Sequence, residues 1–184
     1  MSRQTDDPEE VAWEGRFIAA KRRGKWEYVS RTRNVSAAVI LAVDDGRVIL
    51  VEQYRVPLGS CCLELPAGLI GDDVEDEEVE TAAIRELEEE TGYRAERMVD
   101  LGRFYASPGM SSEGFTLLRA EALTRTGEGG GVEGEDIIVH LVAVADVADF
   151  VAAKREQGCA IDVKLLLLLA AFLLEPFGTG ERLD

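Results

Sequence analysis

Glu86, Glu89 and Glu90 stand at i, i+3 and i+4 in the run Arg85-Glu86-Leu87-Glu88-Glu89-Glu90-Thr91-Gly92-Tyr93. On a helix that spacing crowds three carboxylates onto one face about one turn long. Like charges so placed repel by about 0.2–0.5 kcal/mol per pair. A hard cation with a preference for oxygen relieves that cost. Mg²⁺ takes few carboxylates and keeps waters for a phosphate substrate. The plain alternative is an acidic helix face in solvent, because short motifs are weak when read alone. Val79, Ala82, Ala83 and Leu87 recur at helical spacing and supply an apolar stripe for the same helix. The pattern begins near Asp76 and stops at Gly92, a natural residue just past a helix end.

The elements that must position this helix follow from the rest of the chain. The 184 residues suffice for one domain with a sizeable core, and 46% hydrophobic residues argue for folding. Residues 1–10 are polar and acidic, unlike a signal peptide, and are expected to be flexible. Residues 11–34 read as strands, with Arg22-Arg23-Gly24-Lys25 as a hairpin turn. Ser36–Val43 is an apolar run of the kind found in a strand covered on both faces, and Asp44-Asp45-Gly46 is a strong turn signal before Arg47–Gln53. Cys61–Leu65, Met98–Tyr105, Gly114–Glu121 and Ile137–Val144 read as strands. Residues 124–134 are rich in glycine, which predicts a mobile loop. Asp146 and Asp162 are expected to cap two final helices, the second carrying the apolar run Leu165–Leu174. That run is too short to span a bilayer and reads as a core helix. The layout is an α+β sandwich.

A net charge of -16 argues against a sequence-independent partner for nucleic-acid polymers, which needs a basic footprint. It also sits awkwardly with a phosphate substrate unless a bound cation dominates the site locally. Three cysteines, Cys61, Cys62 and Cys159, and one histidine, His140, show no CxxC or Cys/His spacing. Zinc is therefore not expected, and reduced thiols in the cytoplasm are. His140, in an apolar strand, reads as packing.

Counting back from Arg85 places Glu77 and Gly71 upstream of the acidic turn. The whole span then fills G-x5-E-x7-R-E-U-x-E-E-x-G-U, with U aliphatic or aromatic. It resembles the signature of the Nudix superfamily. Pro66-Ala67-Gly68 lies three residues further upstream than many relatives allow. Either the box opens at Gly71, or the loop after Gly68 carries an insertion. Tyr54-Arg55, Leu63 to Ile70, Ser107-Pro108-Gly109 and Trp26-Glu27-Tyr28-Val29-Ser30-Arg31 are similar to the ADP-ribose pyrophosphatase branch of that superfamily.

The resemblance implies a Nudix fold, an α/β/α sandwich with a mixed β-sheet over residues 35–184, preceded by N-terminal strands at 11–34 for dimerisation and base binding. It implies Mg²⁺, with Mn²⁺ as substitute, held by Glu86, Glu90, Glu89 and the main-chain carbonyl of Ala67. Arg85 would pair with Glu77 and brace the loop. Glu135, or else Glu133, would orient or deprotonate the attacking water. Trp26 would stack on adenine, unless it is simply a core aromatic. Arg31, Arg55, Glu64, Leu69 and Ser107 would contact the substrate, a nucleoside diphosphate sugar. The implied activity is hydrolysis of ADP-ribose to AMP and ribose 5-phosphate in a homodimer. The alternatives are another nucleotide sugar such as GDP-mannose, a dinucleotide, or a non-catalytic nucleotide-sensing module. No membrane partner is expected.

Overall fold

The computed structural model describes residues 7–33, 36–70, 78–132 and 134–174. Three N-terminal strands, β1 (Glu9–Glu14), β2 (Ile18–Arg23) and β3 (Trp26–Arg31), form an antiparallel sheet of their own. Gly24, at φ 58°, makes the predicted turn between β2 and β3. Glu9 and Glu10 are already paired, opposite Arg23 and Arg22.

The described residues after these hold nine more strands: β4 (Ser36–Leu41), β5 (Val43–Asp44), β6 (Arg47–Arg55), β7 (Ser60–Glu64), β8 (Ala67–Ile70), β9 (Tyr93–Phe104), β10 (Phe115–Arg125), β11 (Ile138–Ala143) and β12 (Ala160–Ile161). One sheet runs β8-β4-β10-β9, and a second runs β11-β6-β7-β12 with β5 against β6. The β4–β10 and β7–β12 pairs are parallel and the others antiparallel, so both sheets are mixed.

Alternation along the strands creates two cores. Ala38, Ile40, Ile49 and Leu118 pack beneath Ala82, Ala83 and Leu87 of helix α1 (Val79–Thr91). Val39, Val48, Leu50 and Leu63 pack on the opposite side. Their partners are Val147 and Val151 of α2 (Val147–Glu156), together with Leu165 and Leu169 at α3 (Leu166–Leu174). Helices therefore cover both faces, as the expected sandwich requires. Among the described residues no helix is long and apolar enough to cross a membrane.

Several local expectations are revised. The strand expected from Met98 begins at Tyr93, directly after the helix. Asp162 does cap, its side chain accepting from the Lys164 amide at 2.7 Å, whereas Asp146 makes no side-chain capping bond. The glycine-rich loop is fastened to the C-terminal end of α1. The amides of Gly130 and Gly131 donate to the carbonyls of Glu90 and Glu89 at 2.9 and 3.0 Å, and those of Thr126 and Gly127 to Gly92 at 2.7 and 3.1 Å. These bonds satisfy carbonyls that a helix end leaves unpaired. The approach is so close that a Cβ on Gly92 would overlap the Gly127 carbonyl, and one on Gly129 would overlap the Thr91 backbone.

Candidate active site

Helix α1 carries Glu86, Glu89 and Glu90 because Leu87, fully buried, fixes which way the helix faces. Its stop at Gly92, in the left-handed region at φ 72°, lets the chain reverse into β9. The anchored glycine-rich loop then brings Glu135 back over the acidic turn. The Glu135 carboxylate accepts from the Val132 amide at 2.9 Å. Its charge is felt by both Glu86 and Glu90.

Burial dominates the electrostatics. Glu90 is only 7% exposed. Its pKa is pushed up to about 8, chiefly by burial and further by Glu86 and Glu135. The Ala67 amide, donating to Glu90 Oε2 at 3.1 Å, and the Arg55 charge work against that rise. Burial likewise raises Glu86, aided by Glu89 and Glu135 and opposed by Arg85. Two neighbouring acids, Glu90 buried and Glu86 half-buried, that both resist ionisation mark a place where a cation would be stabilising. The donors are all oxygen, which suits a hard divalent ion.

Gly68 explains how β8 lies against this helix. A Cβ there would overlap Cγ and Cδ of Glu86. Strand β8 thus comes against the acidic turn at Gly68. Gly71 and Glu77 lie outside the described residues, as does Glu133. Arg85 pairs with Glu86 and Glu89, each at 3.0 Å.

Beyond Ala67 and Gly68 opens a cavity of about 380 Å³, which Arg31, Arg55, Glu64 and Leu69 also line. Arg55 grips Glu64 through two bonds of 2.6 and 2.9 Å, and Glu64 is 6% exposed. Such forked pairs are among the stronger and more directional polar contacts. Arg31 Nε donates to Glu113 at 2.6 Å. Five of the substrate and metal candidates read from the sequence therefore meet in one cavity.

Two do not. Trp26, 46% exposed, lines a separate groove of about 430 Å³ with Tyr28, Ser30, Pro108 and Ser111. Ser107 sits in the backbone of that loop, its carbonyl accepting from the Met110 and Ser111 amides at 3.0 and 2.9 Å. A larger groove of about 600 Å³ runs over β1–β3. Size alone does not mark the chemistry; the carboxylate cluster does.

The cavity also holds residues that sequence reasoning passed over: Glu113, Phe115 and Lys164. Lys164 Nζ is 2.5 Å from Asp162 and 5.8 Å from the centre of the Phe115 ring. A lone cation opening an apolar helix was the available signal.

Two layers of helix around mixed sheets, with an acidic helical turn facing a strand glycine, define an α+β protein built around a cation-ready carboxylate site. The chain belongs to the NUDIX domain family, whose model matches residues 32–160. It is 35% identical over 121 residues to the ADP-ribose pyrophosphatase of Bacillus subtilis (strain 168), covering 65% of this chain and 64% of that protein. It is also 35% identical over 146 residues to a GDP-mannose pyrophosphatase of Cronobacter sakazakii (strain ATCC BAA-894), covering 74% of this chain and 72% of that one. A crystal structure of an ADP compounds hydrolase shares the fold, with TM-score 0.66 and 24% identity over 93% of this chain and 94% of that one.

Proposed function

We propose that this chain hydrolyses the diphosphate of ADP-ribose, giving AMP and ribose 5-phosphate, with Mg²⁺ as cofactor and Mn²⁺ as substitute. One observation carries the reading. A helical turn bearing half-buried Glu86 and Glu89 and buried Glu90 adjoins the cavity lined by Arg55, Glu64 and Ala67. The similarity to a protein named ADP-ribose pyrophosphatase supports the substrate.

Glu86, Glu89 and Glu90, with the Ala67 main chain, would hold the metal. When bound, it neutralises phosphoryl oxygens and lowers the pKa of a bound water. Arg55 and Arg31 hold ribose or phosphate oxygens, the guanidinium fork being suited to bidentate contact. Glu64 fixes the Arg55 fork and can itself accept from a substrate hydroxyl or amino group. Glu135 orients the attacking water and takes its proton, with Glu133 as the second choice. Arg85 braces the carboxylates rather than touching substrate.

The protein works as a homodimer in the cytoplasm. Val11, Trp13, Phe17, Ile18 and Trp26 are exposed apolar residues in and beside the N-terminal sheet, a surface suited to a second copy. Trp26 stands apart from the cavity in one chain, so a partner's N-terminal strands bring the adenine site together.

Turnover of a panel of nucleoside diphosphate sugars with Mg²⁺ tests the substrate. ADP-ribose should give the highest kcat/KM. Turnover of GDP-mannose or UDP-glucose equal to or faster than that of ADP-ribose would overturn the choice. The GDP-mannose pyrophosphatase likeness keeps a second reading, another nucleotide sugar on the same machinery. Trp26→Ala separates the two. Loss of adenine stacking, worth about 1–3 kcal/mol, should raise KM for ADP-ribose about 5- to 150-fold. An unchanged KM favours the second reading.

A further inference from the structure

On the sheet face covered by α2, four neighbouring strands bring in one polar side chain each. They are His140 from β11, Glu52 from β6, Cys61 from β7 and Cys159 immediately before β12. The parallel register sets Ala160 opposite Cys62 and Ile161 opposite Leu63, which places Cys159 beside Cys61. A carboxylate oxygen of Glu52 and the two sulfurs lie within 4.8 Å of one another. Glu52 Oε2 is 2.8 Å from His140 Nε2 and 2.5 Å from Lys154 Nζ. The Phe150 ring roofs the group, its centre 5.2 Å from that of His140 and 5.6 Å from Lys154 Nζ.

We propose that Cys61, Cys159 and Glu52 form a site for a thiophilic divalent cation of the zinc class, separate from the carboxylate cluster on α1. Zinc binds sulfur at about 2.3 Å and carboxylate oxygen at about 2.0–2.2 Å, so tetrahedral ligands stand under about 4 Å apart. Small side-chain rotations bring the present three to that spacing. Two sulfur donors select zinc over magnesium. His140, bonded to the same carboxylate, is the partner that fixes its orientation. Charge also balances: two thiolates and one carboxylate face a dication and the Lys154 ammonium. Each thiol gives its proton to solvent as the metal–sulfur bond forms. Burial already pushes the Cys159 thiol up to about 12, so without metal it stays protonated. The cation would pin the α2–β12 turn to β7, the strand that ends in Glu64.

The test is a Co²⁺ titration of the reduced full chain, with excess Mg²⁺ to occupy the α1 cluster. One equivalent should develop the ultraviolet sulfur-to-cobalt charge-transfer band, which oxygen ligands cannot give, and Zn²⁺ should bleach it. Cys61→Ser and Cys159→Ser should each abolish or strongly diminish the band, and Glu90→Gln should leave it intact. No band in the wild-type chain overturns the site, whatever the variants do. A full band surviving in either folded serine variant overturns it as well.

Discussion

Glu90 is held between a backbone amide and an arginine charge that favour its ionised form, and burial and two carboxylates that oppose it. The opposition wins, so the acid is spring-loaded for a cation. Glu90→Gln keeps size and most packing but removes that charge. It should lower kcat for ADP-ribose by more than the roughly 10–100-fold carried by mere outer partners of metal ligands. Steady-state kinetics at saturating Mg²⁺ checks this, and a wild-type rate would remove Glu90 from the metal site. At this scale the sequence was informative wherever chemistry is local. Three acids on one helical turn can be read from spacing alone. Glu113 and Lys164 share no such spacing, because the cavity collects them from a loop and a helix start far apart in the chain.

At the scale of elements, β8 and α1 touch at a glycine. Gly68→Ala puts a methyl group where the Glu86 side chain now lies. Glu86 must swing aside, and misplacing a reacting group by about 1 Å can cost about 100-fold. The expected outcome is a loss near that size in kcat/KM with an unchanged far-ultraviolet circular dichroism spectrum. Wild-type kinetics would show that the contact does not matter. Helix α1 was legible because its apolar stripe and terminal glycine agree. The early start of β9 was not. Arg94, Glu96 and Arg97 look like loop residues, yet Tyr93, Ala95 and Met98 are buried and make a strand. Composition suggested a mobile glycine-rich loop, but its small residues are what permit close contact with the end of α1. The thiol cluster shows the same lesson. Its members come from adjacent strands, so no linear Cys/His spacing announces them.

For the whole molecule, the acidic cluster links stability to pH. Between the ordinary carboxylate value of 4.5 and about 8, folded Glu90 retains a proton that the unfolded chain has lost. Stability of the metal-free protein therefore falls as pH rises through that window. Glu86, also raised, adds the same sign. The acids shifted downward, Glu9 and Glu52 among them, lose their contribution only below 4.5. Thermal melts in chelator should give a higher Tm at about pH 5.5 than at about pH 8, and Mg²⁺ should raise Tm more at the higher pH. The opposite ordering would mean that the cluster is solvated rather than buried. The sandwich itself was legible from the order of elements, whereas the separation of Trp26 from the cavity depends on how the N-terminal sheet is set, which no local pattern encodes. The most direct measurement is calorimetric titration of Mg²⁺ into the wild-type chain and into Glu86→Gln/Glu90→Gln. The prediction is clear binding to the first and at least about a tenfold loss in the second; equal affinity in the two would contradict the assignment of the acidic turn as the metal site.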